Sequence, residues 1–120
     1  MIGIATVGNA SLICFDDNKP IITTDPWFGD EDDAYFGSWI GSYKIPKTYK
    51  DHMINSEFIW ISHGHPDHLN PKSIKKFKDK KILISDHYGS RIFDDLTEQK
   101  YNITIIPDKK WIELSKNVSI

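Results

Sequence analysis

The sequence has a single cysteine, Cys14, so no internal disulfide can brace it. That thiol lies in the apolar run Leu12-Ile13-Cys14-Phe15 and is expected in the core rather than as a reactive group. No apolar stretch approaches the roughly 20 residues of a membrane-spanning helix, so no membrane is expected as a partner. The opening MIGIATVGNA lacks the basic start and long apolar stretch of a secretory signal. A cytoplasmic location is the expectation that follows. An excess of one charge is missing too, because acids and bases interleave to a net −2. Nucleic acid is therefore not an expected partner on charge grounds. Repeats, low-complexity tracts and linkers are also lacking. The 120 residues are 39% hydrophobic and 27% charged, the composition of one folded domain.

Short runs rich in β-branched residues fill the first quarter. Ile2–Ala5, Ser11–Phe15 and Ile21–Thr24 read as strands, and the short links between them favour antiparallel pairing. The stretch 26–55 reads as a long irregular connection carrying Trp27, Phe28, Tyr35, Phe36, Trp39 and Tyr43. Such loops are usually functional or mobile, and these aromatics serve either as packing or as a substrate-facing wall. Glu57–Ser62 reads as a strand buried on both faces. Asn70-Pro71 is a helix start, with Asn as cap and Pro in the first helical position, and Ile74 and Phe77 mark the buried side. Lys80–Ser85 and Ile103–Ile106 read as strands, Ser90–Lys100 as a helix, and Trp111–Leu114 as the start of a further strand. The basic run Lys72–Lys81 reads as the solvated face of a helix.

Hairpin strands followed by β-α-β-α-β predict an α/β (α+β) chain, a mixed sheet with helices on one face. The uncovered face would be apolar and wet, so further chain or another subunit is expected against it.

The chemistry lies in Ser62-His63-Gly64-His65-Pro66-Asp67-His68-Leu69, directly after the buried strand. Imidazole nitrogen and carboxylate oxygen are the donors that zinc takes from proteins. In extended backbone His63 and His65 project from the same side. The turn at Pro66 then lets Asp67 and His68 face an adjacent spot, so two neighbouring metal positions fit the spacing.

This H-x-H-x-D-H string resembles the signature of the metallo-β-lactamase superfamily. Gly8-Asn9-Ala10-Ser11 resembles the opening segment of certain members, and Thr24-Asp25-Pro26-Trp27 resembles their T-D-P-W turn. The similarity is nearest to the branch holding ascorbate-6-phosphate lactonase, N-acyl-phosphatidylethanolamine phospholipase D and CMP-N-acetylneuraminate hydroxylase-like proteins. The resemblance implies an αββα sandwich, with residues 1–120 as the N-terminal half of a metallohydrolase domain. It implies one or two zinc ions, iron and manganese suiting the same donors. His63 and His65 would ligate the first ion and Asp67 and His68 the second; in mononuclear members the residue matching Asp67 handles a proton. Asp25 would sit beside the cluster and orient a ligand histidine. As a residue of the sequence alone, Asp25 also reads as a simple strand-end turn before proline.

The family pattern needs further ligands that nothing after residue 70 supplies convincingly. His87 follows a strand and could face the same edge, whereas His52 reads as solvated. Asn9 departs from a frequent histidine. The expected activity is metal-assisted hydrolysis of an ester, lactone, amide or phosphodiester in a small-molecule substrate. The competing reading is a non-catalytic half-domain that associates with a partner or with itself and binds metal weakly.

Overall fold

The computed structural model describes residues 1–120. Six strands form one sheet in sequence order: β1 (Gly3–Val7), β2 (Ser11–Asp16), β3 (Lys19–Thr24), β4 (Phe58–Ile61), β5 (Lys81–Ser85) and β6 (Asn102–Ile106). The first two pairings are antiparallel and the remaining three parallel. Asp17 and Asn18, at φ 48° and 61°, make the tight turn between β2 and β3. Both residues tolerate the left-handed region that such hairpin turns require.

Parallel neighbours need crossovers, and α1 (Lys47–Asn55), a short 3₁₀ helix (Ser73–Phe77) and α2 (Arg91–Glu98) lie in them. Strand order advances steadily and such crossovers are right-handed, which puts all three on one face. In register, Ile59 pairs with Ile82 and Ile82 with Ile103; Ile61, Ile84 and Ile105 form the next row. Both rows meet Met53, Ile74, Phe77 and Leu96 in the core. Each fully buried side chain of this kind contributes about 1.5–3 kcal/mol relative to exposure.

The expected mixed sheet with one covered face is what forms, and the architecture is α+β. Four details differ from the sequence reading. Phe58 and Trp60 are half-buried while Ile59 and Ile61 are fully buried, so β4 is not buried on both faces. The helices cover one side only. Cys14 pairs with Ile4 and Ile22 on that other side; it is half-buried and outside the core, with burial pushing its thiol pKa up. The irregular stretch ends in α1, whose His52 packs edge-on against Phe15 at 5.2 Å rather than standing free in solvent. Its amphipathic signal was weak because Met53 is its one buried residue. Finally, Trp111–Leu114 forms no strand. Ile112 and Ile120 exchange backbone hydrogen bonds, and the turn between them docks on Asp16 through Ser115 and Asn117.

No helix is long and apolar enough to cross a membrane. The lysine run is largely tied down: Lys72 pairs with Asp33, Lys76 with Asp32 at 2.6 Å, and Lys81 with Glu57 at 2.8 Å.

Candidate functional site

The histidine-rich segment leaves the C-terminal end of β4 and winds into a turn in which His68 N and Leu69 N donate to His65 O at 2.9 and 2.8 Å. Asn70 closes that turn. Its side-chain oxygen accepts from Lys72 N and Ser73 N, and its amide donates to the carbonyls of Pro66 and Asp33. Asn70 thus supports the turn before the helix, but the helix is 3₁₀, begins at Ser73 and has Lys72 as its N-cap, so Asn70 is not the cap and Pro71 is not the first helical residue.

The fold brings the three imidazoles together with His63 in the middle. Its ring centroid lies 4.0 Å from that of His68 and 4.6 Å from that of His65. His68 therefore stands against His63 and not apart from the His63/His65 pair. Asp25 ends β3 alongside, at φ 40° and 6% exposed. Its carboxylate accepts from Ser62 N (2.8 Å) and Ser62 Oγ (2.7 Å), and its Oδ2 lies 2.9 Å from His68 Nδ1. Ser62 Oγ is in turn 2.8 Å from His63 Nδ1. Asp25 is both a turn residue and a hydrogen-bonding hub.

Asp67 faces the other ring nitrogen of His68. Tyr35 Oη donates to its Oδ1 at 3.0 Å, Asn9 Nδ2 to its Oδ2 at 3.1 Å, and His68 Nε2 is 3.6 Å from Oδ2. Burial disfavours the Asp67 charge, but the Tyr35 hydrogen bond, a backbone hydrogen bond, the His68 charge and Asn9 outweigh it. Its carboxyl is held below the ordinary value. Burial first, and then the Asp67 carboxylate, push the Tyr35 hydroxyl up, which keeps it a neutral donor. Tyr35 sits in a turn of three successive left-handed residues, Tyr35, Phe36 and Gly37, closed by the Ala34–Trp39 bridge. Left-handed aromatic residues are uncommon, and such strain gathers at functional positions.

His87 lines the same groove as His63 and His65, a space of about 710 Å³ that Tyr88 and Arg91 also border. The aromatics of the long loop divide between the two roles considered for them. Trp27 and Phe28 are buried packing, whereas Phe36, Trp39 and Tyr43 are exposed.

Nitrogen and carboxylate donors of this kind fit zinc or a similar divalent ion. Their number falls short: no group of three or more His, Cys, Asp or Glu side chains is arranged to hold an ion. These side chains thus offer donors of a kind that zinc takes, but no converged group of three. Sequence reasoning missed Ser62 as the link between Asp25 and His63, although it stood inside the quoted motif. It also missed Tyr35, which lies 32 positions from Asp67 with no local signal.

No protein-family model matches the chain. A curated relative, the cytidine monophosphate-N-acetylneuraminic acid hydroxylase of Sus scrofa, is 26% identical over 100 residues, covering 78% of this chain and 22% of the relative. The solved structure titled a possible metal-dependent hydrolase, from Veillonella parvula DSM 2008, superposes with a TM-score of 0.70 at 17% identity. The match covers 97% of this chain and 45% of that one. The isothiocyanate hydrolase from Delia radicum gut bacteria gives 0.66 at 21% identity, covering 92% and 43%. The chain thus spans about a fifth of that curated relative and under half of each solved structure. With the sheet order and the histidine turn described above, these likenesses fit the N-terminal part of a metallo-β-lactamase-like fold.

Proposed function

We propose that residues 1–120 are the N-terminal half of a metal-dependent hydrolase domain and supply its histidine-rich side of the active centre. The observation that carries this reading is the preorganised edge itself: three adjacent imidazoles, with Asp25 and Asp67 each fixed by hydrogen bonds from separate parts of the chain. Catalytic groups need this kind of support, because loosely held ligands lose their geometry. Two solved neighbours carry hydrolase titles, which supports the reaction class.

In this reading His63 and His65 would hold a first ion, zinc by donor type, and Asp67 and His68 a second. A bound divalent ion supplies Lewis acidity and lowers the pKa of water to about 7. Asp25 holds His68 by Nδ1 so that Nε2 faces the cluster, and Ser62 extends the same restraint to His63. With a single ion bound, Asp67, whose ionised form Tyr35 and Asn9 favour, would instead accept a proton from the water that attacks an ester, lactone, amide or phosphodiester. The groove past His63, His65 and His87 admits the substrate. The missing ligands come from further chain or from a partner subunit covering the open sheet face, where Ile4 is exposed and Phe58 and Trp60 are half-buried.

The test is metal content and oligomeric mass of the purified chain, beside its His65→Ala variant. One or two ions per chain, lost in the variant with an unchanged circular dichroism spectrum, is the expected result. Full metal content in His65→Ala would remove that residue from the ligand set. The second reading, a non-catalytic half-domain binding metal weakly, is favoured by the lack of a converged group of three donors. It predicts no bound metal, and no hydrolysis of model esters with zinc in excess.

A further inference from the structure

A second cavity lies on the far side of Asn9 from the histidines. It measures about 310 Å³ and is bounded by Gly8 and Asn9 after β1 and by Trp27, Gly29, Trp39 and Tyr43 of the long loop. None of its ten lining residues is Asp, Glu, Lys, Arg or His. The lining includes the rings of Trp27, Trp39 and Tyr43 together with Gly29 and Gly41. Gly41 N donates to Gly29 O at 2.6 Å, and a side chain at either glycine would be a tight fit. A Cβ on Gly41 would meet Gly29 backbone at 3.1 Å, and one on Gly29 would meet the Trp27 ring at 3.1 Å.

The cavity is tied to the proposed centre at two points. Asn9 lines it and donates to Asp67, while Trp39 lines it and packs edge-on against Tyr35 at 4.9 Å, the residue whose hydroxyl holds the other Asp67 oxygen. Trp39 and Tyr43 are 53% and 55% exposed, so much of each ring is left open by the packing of the loop. A dry cavity of about 150 Å³ accepts benzene, so the space here suits one ring with a short linker or a fused pair. A charged group would find no charged partner among the ten lining residues and would lose part of its hydration there, so an uncharged ring is preferred.

We propose that this cavity is the specificity pocket of the site, receiving an uncharged aromatic ring carried by the substrate beside the bond that Asp67 faces. The inference rests on the hydrolase reading for the word substrate, but the binding step can be read without metal or turnover.

The experiment is a titration of the metal-free chain with 4-nitrobenzyl alcohol, followed by ¹H–¹⁵N spectra, in which glycine amides are well separated. Saturable shifts at Gly8, Gly29 and Gly41 are expected. Binding should weaken about 3- to 10-fold in Trp39→Ala, the loss of one aromatic contact. It should vanish in Ser42→Phe, which fills the cavity from its exposed rim. Benzoate and benzylamine should bind at least about tenfold more weakly. Shifts spread over the open sheet face instead, equal affinity for the charged compounds, or a Trp39→Ala variant with unchanged affinity and a dispersed spectrum would each overturn the proposal. Failure of the hydrolase reading would show separately, as absent metal or turnover with arene binding intact.

Discussion

Asp25→Asn is the most informative single change, because one carboxylate governs two imidazoles. The carboxylate can only accept, so His68 Nδ1, 2.9 Å away, must carry its proton. Ser62 has one hydroxyl proton and gives it to Asp25 Oδ2 at 2.7 Å. Its oxygen is then left to accept from His63 Nδ1 at 2.8 Å. Both rings are thereby fixed as Nδ1–H tautomers with a free lone pair on Nε2, the form a metal ligand needs. An asparagine amide keeps the bond from Ser62 N at Oδ1 and places donors where Oδ2 stood. One amide proton goes to His68 Nδ1 and the other to Ser62 Oγ, which then turns its own proton onto His63 Nδ1. Both rings switch to Nε2–H. Three hydrogen bonds to a charged acceptor, worth about 1.5–3 kcal/mol each, become neutral ones worth about 0.5–1.5 kcal/mol. Relief of carboxylate burial offsets part of this, leaving a loss of about 1–3 kcal/mol in stability. Zinc affinity should fall about 10- to 100-fold. Long-range ¹H–¹⁵N spectra near pH 8, where imidazole is neutral, read the tautomers directly, and urea unfolding reads the stability. Nδ1–H retained on both rings in Asp25→Asn would refute the relay, as would Nε2–H rings in the wild type.

Two further outcomes follow from the same contacts. Asn70→Ala removes four hydrogen bonds from a side chain that is 1% exposed, freeing the Lys72 and Ser73 amides and the half-buried carbonyls of Asp33 and Pro66; urea unfolding should record a loss of about 2–4 kcal/mol. A cost below about 0.5 kcal/mol would mean that the turn carrying His65 and His68 is held by other means. Hydrogen bonds from Ser115 and Asn117, acting against burial, hold Asp16 below its ordinary pKa of 3.8. A depressed carboxylate stabilises above its unfolded pKa and loses that contribution as pH falls through the folded value. The difference in melting temperature between wild type and Asp16→Asn should therefore shrink below about pH 4. A difference that stays constant down to pH 2 would mean that the docked terminus does not depend on this charge.

Strands with short links between them were legible because alternation and turn residues act locally. Ile13, Ile59, Ile61, Ile82 and Ile84 announce their strands whatever surrounds them. Asp17-Asn18 specifies a hairpin from its own backbone preferences. The histidine turn was legible for the same reason, since Ser62, His63, His65, Asp67 and His68 fall within seven residues of chain. Helix α1 was missed because one buried methionine makes a poor period. The face to which Phe58, Trp60 and Cys14 belong could not be judged from their hydrophobicity, which says that a residue avoids water but not whether anything covers it.

What the sequence by itself determined is the cluster His63, His65, Asp67 and His68, proposed above as metal donors, and the order of strands that carries it to one edge. Tertiary structure alone decided how they are held. Tyr35 reaches Asp67 from a strained turn 32 residues away, and Ser62 links Asp25 to His63 across the junction of two parallel strands. Hydrogen bonds between distant segments leave no spacing in the chain, because loop closure brings together groups whose separation carries no period.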